Sequence, residues 1–180
     1  MAKNKNNKTQ SKSLINSLFD TKAKIITAGI IAAAIILVIV FLIVREGSYG
    51  KLIIANNTDI DIEFVKTSFV NEEGIVDNGL QTGKIAAGKK LKSALEPVDL
   101  EFTESNLEVA FKLAGHDEMF TDVGYFNQRF HGNIKISFNK TDDPDIITIK
   151  IKAGNGLFQT SSIYCNEEYE IDLKDNIILD

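Results

Sequence analysis

Leu107-Glu108-Val109-Ala110-Phe111-Lys112-Leu113 is the stretch on which the fold turns. Leu, Val, Phe and Leu take every second position, with Glu, Ala and Lys between them. A period of two is that of a β-strand with one face on a core and the other in water. A helix would need apolar residues every three to four positions. Outward from this stretch the pattern recurs at Ile60/Ile62/Phe64, Ile134/Ile136/Phe138 and Ile147/Ile149/Ile151. Turn-forming residues separate the runs: Asn56-Asn57, Glu73-Gly74, Asn78-Gly79, Ala87-Gly88, Gly115-His116-Asp117, Gly132-Asn133, Asp142-Asp143-Pro144 and Gly154-Asn155-Gly156.

Strands are predicted over residues 50–56, 60–70, 82–87, 90–96, 106–114, 125–130, 133–139, 146–153, 157–165 and 168–173. Short strands at such spacing predict a mainly β fold, an antiparallel β-sandwich. Phe64-Val65 breaks the alternation, so a bulge is expected there. Residues 98–105 read as a loop or a short helical turn.

A second feature divides the chain. Ile25 to Val44 are twenty consecutive residues without a charge, fourteen of them Ile, Leu, Val or Phe. As a helix they would extend roughly 30 Å, the thickness of a bilayer's hydrocarbon core. The fourteen favour insertion by something on the order of 4–8 kcal/mol. A soluble helix keeps a wet face, which this run lacks. A cleaved signal peptide has an apolar region of about 7–15 residues ending at small residues. Here the one such site, Ala32-Ala33-Ala34, lies inside the run. The reading is an uncleaved signal anchor spanning from Ile25 to Val44, with residues 1–24 before it and 45–180 behind it.

Lys3, Lys5, Lys8, Lys12, Lys22 and Lys24 precede the span, against one acid, Asp20. A Lys/Arg excess stays cytoplasmic, so the N-terminus is expected inside and residues 46–180 outside. Residues 1–12 are too polar to bury surface and are expected to be disordered. Leu14, Ile15, Leu18 and Phe19 fit a short amphipathic turn on the membrane interface. Ala28/Ala32 and Gly29/Ala33 have the four-residue spacing that lets two spans approach, so homodimerisation through the helix stands beside chance use of alanine.

Residues 46–180 hold 13 basic and 24 acidic side chains, a net charge of −11. A domain so charged is expected to repel nucleic acid and anionic polymers, and to accept cationic partners. Cys165 is the single cysteine, so no intrachain disulfide can form; outside the cell a lone thiol implies an intermolecular pair, a reactive thiol or simple burial, and burial is the expectation here.

One family resemblance follows the same residues. Asn56-Asn57-Thr58-Asp59 leads into a strand. Phe69-Val70-Asn71 with Gly74, Ile85-Ala86-Ala87-Gly88-Lys89-Lys90, and then residues 107–113 come after it. This order resembles immunoglobulin-like ectodomains that follow a single membrane span in Gram-positive bacteria. It covers roughly residues 50–140. The resemblance implies an immunoglobulin-like fold and an extracytoplasmic location, and it carries no catalytic role to any residue. Members often have an N-terminal zinc ribbon, whose cysteines this chain lacks.

Several constellations bear on chemistry. His116 with Asp117, Glu118 and Asp122 offers some zinc-ligand types, though in a turn, where acids are commonly just solvated. Asp142, Asp143 and Asp145 offer oxygens for Ca²⁺ without the EF-hand spacing. Gly-x-Ser-x-Gly is absent, and sequence places neither His116 nor His131 beside Cys165. Gly83 and Gly88 make no phosphate loop. Asn56-Asn57-Thr58 and Asn139-Lys140-Thr141 fit the N-glycosylation pattern, and are plain turns in a bacterium.

The expectation is therefore a non-enzymatic binding or interaction module of the bacterial cell envelope. It needs no cofactor and is tethered to membrane lipid by one helix. Its partner is an envelope protein or a cell-wall component, and Tyr125, Phe126 and Phe130 either line the site or pack in the core, the commoner state of aromatics in a β fold. The rival is a ligand- or ion-sensing ectodomain that signals through the span.

Overall fold

The structure is a computed structural model that describes residues 22–46, 50–155 and 164–179. The chain divides into two compact units between Gly47 and Ser48.

The first unit contains one helix, α1 (Lys22–Glu46). Lys24–Val44 within it is 21 residues with a mean hydropathy of 3.1, long and apolar enough to cross a bilayer. Its large apolar side chains are exposed along its length, from Ile25 to Val44. The tail residues expected to be disordered or interfacial lie outside the described residues.

The second unit is two packed sheets. Its strands are β1 (Gly50–Asn57), β2 (Ile62–Asn71), β3 (Gly74–Gln81), β4 (Lys90–Leu95), β5 (Ser105–Leu113), β6 (Glu118–Phe126), β7 (Asn133–Lys140), β8 (Ile146–Gly154), β9 (Tyr164–Asp172) and β10 (Ile177–Leu179). Six strands form one sheet in the order β10-β9-β8-β7-β1-β4, and four form the other in the order β3-β2-β5-β6. Every pair of neighbours is antiparallel except β1–β7, which run parallel. The mainly β, sandwich-like class inferred from the alternation is the one found.

The alternation at residues 107–113 works as read. Leu107, Val109, Phe111 and Leu113 are fully buried, while Glu108 and Lys112 turn outward. Phe111 of β5 packs edge-on to Phe138 of β7, ring centroids 5.1 Å apart, tying one sheet to the other. Phe69, Phe126 and Phe130 form a second aromatic cluster with centroids 5.2–5.7 Å apart. Each such burial is worth about 1.5–3 kcal/mol. The bulge expected at Phe64-Val65 is present as a register shift between Ile62 and Phe64 against β5.

Four strand boundaries differ from the expectation. Residues 82–87 are not a strand: Ile85 makes a single bridge to Ile62, bonded both ways at 2.8 and 2.9 Å. The strand expected at 125–130 is β6, which begins at Glu118 and ends at Phe126. β3 was not foreseen. Residues 168–173 belong to one strand with 164–167, and β10 follows it. Residues 157–163 of the strand expected over 157–165 lie outside the described residues.

Two polar devices shape the ends of the sheets. Asn56 is fully buried, yet each side-chain atom is bonded. Its Nδ2 donates to the Ile60 and Ile85 carbonyls at 2.8 and 3.2 Å, and its Oδ1 accepts from the Thr58 N–H and hydroxyl at 3.1 and 2.7 Å. This closes the β1–β2 turn and removes Asn56 from any surface chemistry. At the other end of β1 the backbones of β7 and β8 press together. A Cβ at Gly132 would stand 1.9 Å from the Gly154 carbonyl oxygen, so only glycine fits.

Candidate functional site

The outer face of the four-stranded sheet carries an open cleft of about 550 Å³. Val70, Asn71, Glu72, Glu73, Phe102, Thr103, Glu104, Asn106, Asp122 and Tyr125 line it. Three pieces of chain build it.

The first is the β2–β3 hairpin. Asn71 Oδ1 accepts from the Glu73 N–H at 2.9 Å, and Gly74 takes a φ of +123°. That tight turn sets Glu72 and Glu73 side by side at the rim. The second is the loop between β4 and β5. Val98 bridges Phe130, and Leu100 is buried completely. The Leu100 carbonyl accepts from the Thr103 N–H at 3.1 Å and from its hydroxyl at 2.9 Å. The chain therefore turns sharply over Glu101-Phe102. Phe102 sits at φ 66° and is 99 % exposed. A bulky residue at positive φ is an outlier costing roughly 1–3 kcal/mol, and here the ring covers nothing of its own fold.

The third piece is a bulge in β6. Ser105 pairs with Phe126 and Leu107 with Val123, so Gly124 and Tyr125 together oppose Asn106. Gly124 takes φ 65°. Such a bulge re-aims the side chain beside it. Tyr125 is thereby turned out to 41 % exposure while Phe126 returns to the core. The Glu104 carboxylate, bonded to the Tyr125 hydroxyl, raises that phenol above its ordinary value.

The strand register continues the surface. Ile75, Val70 and Asn106 form one row, Ser68, Glu108 and Asp122 the next, and Lys66, Ala110 and Phe120 the third. Ile75 and Phe120 are more than half exposed. The face thus combines four exposed apolar or aromatic side chains with the carboxylates Glu72, Glu73, Glu104, Glu108 and Asp122. The cleft lining holds four carboxylates and no basic residue. Its chemistry suits a cationic partner with apolar groups, through charge complementarity and cation–π contact.

Of the aromatics proposed from sequence, only Tyr125 reaches this site. Phe126 and Phe130 are fully buried and belong to the core cluster with Phe69. Phe102 and Phe120 were not singled out, because no periodicity marks a loop residue and β6 was not read as starting at Glu118.

The other candidates fall apart or are already engaged. His116 Nδ1 lies 3.1 Å from Asn176 Oδ1 in the β5–β6 turn, whereas Asp122 lines the cleft. Asp143 Oδ1 accepts from the Asp145 N–H at 2.9 Å, and Asp145 pairs with Lys174 at 2.5 Å, raising the lysine's pKa. Among the described residues no group of three or more His, Cys, Asp and Glu could hold a metal ion. Cys165 is buried, and that burial pushes its thiol up to about 11. A thiol with so little thiolate is a poor nucleophile. His131 makes its backbone bond to Asn155, at 2.9 Å.

No protein-family model matches this chain, and neither a characterised protein nor a solved structure is similar to it. The reading of its function rests on the surface just described.

Proposed function

We propose that this chain is a single-pass membrane-anchored interaction module, with α1 in the bilayer and the β-sandwich outside the cytoplasm. The observation that carries the binding role is Phe102. A fold that holds an aromatic ring at positive φ, wholly in solvent, beside a second exposed aromatic and four carboxylates bears costs that a partner would repay. The partner that fits is an envelope polypeptide presenting basic and apolar side chains. No catalytic step is assigned. The immunoglobulin-like affinity with Gram-positive ectodomains belongs to the same proposal; two packed, antiparallel-rich sheets behind an apolar helix support it.

The lysine excess before α1 supports the cytoplasmic N-terminus. The test is site-directed photocrosslinking in whole envelopes with a probe at Asn106. Wild type is expected to give a discrete protein adduct that Phe102→Ser together with Tyr125→Ser abolishes. Adducts unchanged by that pair of substitutions would remove the cleft from the account.

A further inference from the structure

The outer face of the six-stranded sheet reverses the charge over β4, β1, β7 and β8, while β9 beside them turns Glu168 and Glu170 to the same face. On the six-stranded sheet Leu52, Ile54, Ile134, Ile136, Ile149 and Ile151 point inward, so their neighbours point out. The register then aligns residues that are far apart in sequence. Lys92 pairs with Ile53, Ile53 with Lys135, and Lys135 with Lys152. The adjacent row runs Lys90, Ala55, Ser137, Lys150. Lys51 stands one row away on the other side, opposite Ala94. Lys51, Lys90, Lys92, Lys135 and Lys152 are exposed, and none has a salt bridge among the described residues. Only Lys150 is paired, with Glu168. A unit with 13 basic and 23 acidic side chains, a net charge of −10, therefore gathers five ammonium groups without a salt bridge among the described residues on one sheet face.

The arrangement costs stability in the free protein. Lys135 and Lys152 are direct cross-strand partners, and like charges so placed repel. A bound polyanion would turn that repulsion into attraction and release its own counterions. From this charge complementarity we infer that the outer face of the six-stranded sheet binds a linear phosphate-bearing polymer laid across β4, β1, β7 and β8.

Two features select that occupant over a flat anionic bilayer and over nucleic acid. Successive strands in a sheet rotate by roughly 20–25°, so lysines spread over four strands follow a winding line that a flexible chain can track and a plane cannot. The two lysine rows also contain no aromatic ring; Ile53, Ala55 and Ser137 stand between the lysines and offer bases no stacking platform. The net charge of the domain had pointed the other way, because a sum over 135 residues does not register how the strands sort them.

The experiment uses the full chain in neutral detergent micelles with fluorescent long-chain inorganic polyphosphate, followed by anisotropy between 50 and 200 mM salt. Five contacts to a flexible chain contribute roughly −3.5 to the slope of log K against log salt, about a hundredfold loss over that range, beside the share of the six lysines before the apolar run, which every variant keeps. Lys92→Gln with Lys135→Gln and Lys152→Gln is expected to flatten the slope by roughly 2.1 and weaken binding more than tenfold at 50 mM. Lys66→Gln, on the acidic face, should leave it unchanged. The triple variant removes no buried group, and its unchanged far-UV CD checks the fold; Lys135→Gln alone is the second variant and should lose part of the slope. Salt-insensitive or absent binding, equal losses in Lys66→Gln, or binding to phosphatidylglycerol vesicles by protein in neutral nanodiscs without binding to polyphosphate would each overturn the assignment. Variants of Phe102 and Tyr125 should bind polyphosphate as wild type does, so this inference and the cleft stand or fall separately.

Discussion

Gly124 faces Cys165 so closely that a Cβ at position 124 would lie 2.7 Å from the cysteine's Cβ and 2.8 Å from Phe126 Cε2. The same glycine takes φ 65°, and its N–H donates to Glu167 Oε1 at 2.8 Å. One residue thus makes the β6 bulge, joins β6 to β9 and turns Tyr125 toward the cleft. Gly124→Ala is expected to cost about 1–3 kcal/mol in urea unfolding, from strain at positive φ and from overpacking. An unchanged midpoint would mean that β6 can shift away from β9 freely.

Burial of Cys165 gives a pH signature. Burial pushes its thiol up to about 11 in the folded protein, from an ordinary value of 9.0. The unfolded chain therefore loses this proton first. Stability from the buried neutral thiol is complete below about pH 9 and declines as pH rises toward 11. Cys165→Ala should remove that part of the decline. Identical pH profiles for the two proteins between pH 9 and 11 would show the thiol to be solvated.

Phe102→Gly separates stability from binding. Glycine adopts positive φ without the steric cost, so the variant should unfold no earlier than wild type and gain up to about 1 kcal/mol. Its crosslinking through the cleft should fall. A clear loss of stability would show that the ring packs on its own fold.

Asn56 is the polar counterpart. Asn56→Ala removes four hydrogen bonds from a buried turn and leaves the Thr58 N–H without its acceptor, while the Ile60 and Ile85 carbonyls keep the Thr58 hydroxyl and the Ile62 N–H. A cost of about 2–4 kcal/mol is expected, measured as a shift in the urea midpoint. A cost below about 0.5 kcal/mol would mean that water replaces the side chain.

These positions show how far sequence reaches. Leu107 to Leu113 announced β5 by period alone, because a strand packed on one side must alternate. β3 escaped notice since it is an edge strand with Ile75 in solvent and Gly79 at positive φ, so no burial period is imposed on it. Residues 82–87 looked like a strand because Ile85 is buried, but Thr82 and Ile85 satisfy their backbones by single links to Val65 and Ile62. Of the cleft, Tyr125 was legible as an aromatic in a β pattern; Phe102 was not, since a lone loop residue carries no period. The lysine face was hidden entirely. Lys51, Lys92, Lys135 and Lys152 become neighbours only once the register is known.

The rival sensing role has a cheap test. Asp143 and Asp145 already hold the β7–β8 turn and Lys174, so millimolar Ca²⁺ or Zn²⁺ should leave Tm within about 1 °C. A rise of several degrees would favour an ion-sensing ectodomain instead.

The proposal of a membrane anchor with an outward-facing domain is tested most directly by cysteine labelling in living cells. Buried Cys165 gives a silent background. Gln81→Cys, exposed at the end of β3, should react with a membrane-impermeant maleimide in intact cells stripped of their wall. Ser11→Cys in the lysine-rich tail should react only after permeabilisation. Labelling in the reverse order, or no labelling of either until lysis, would contradict the account.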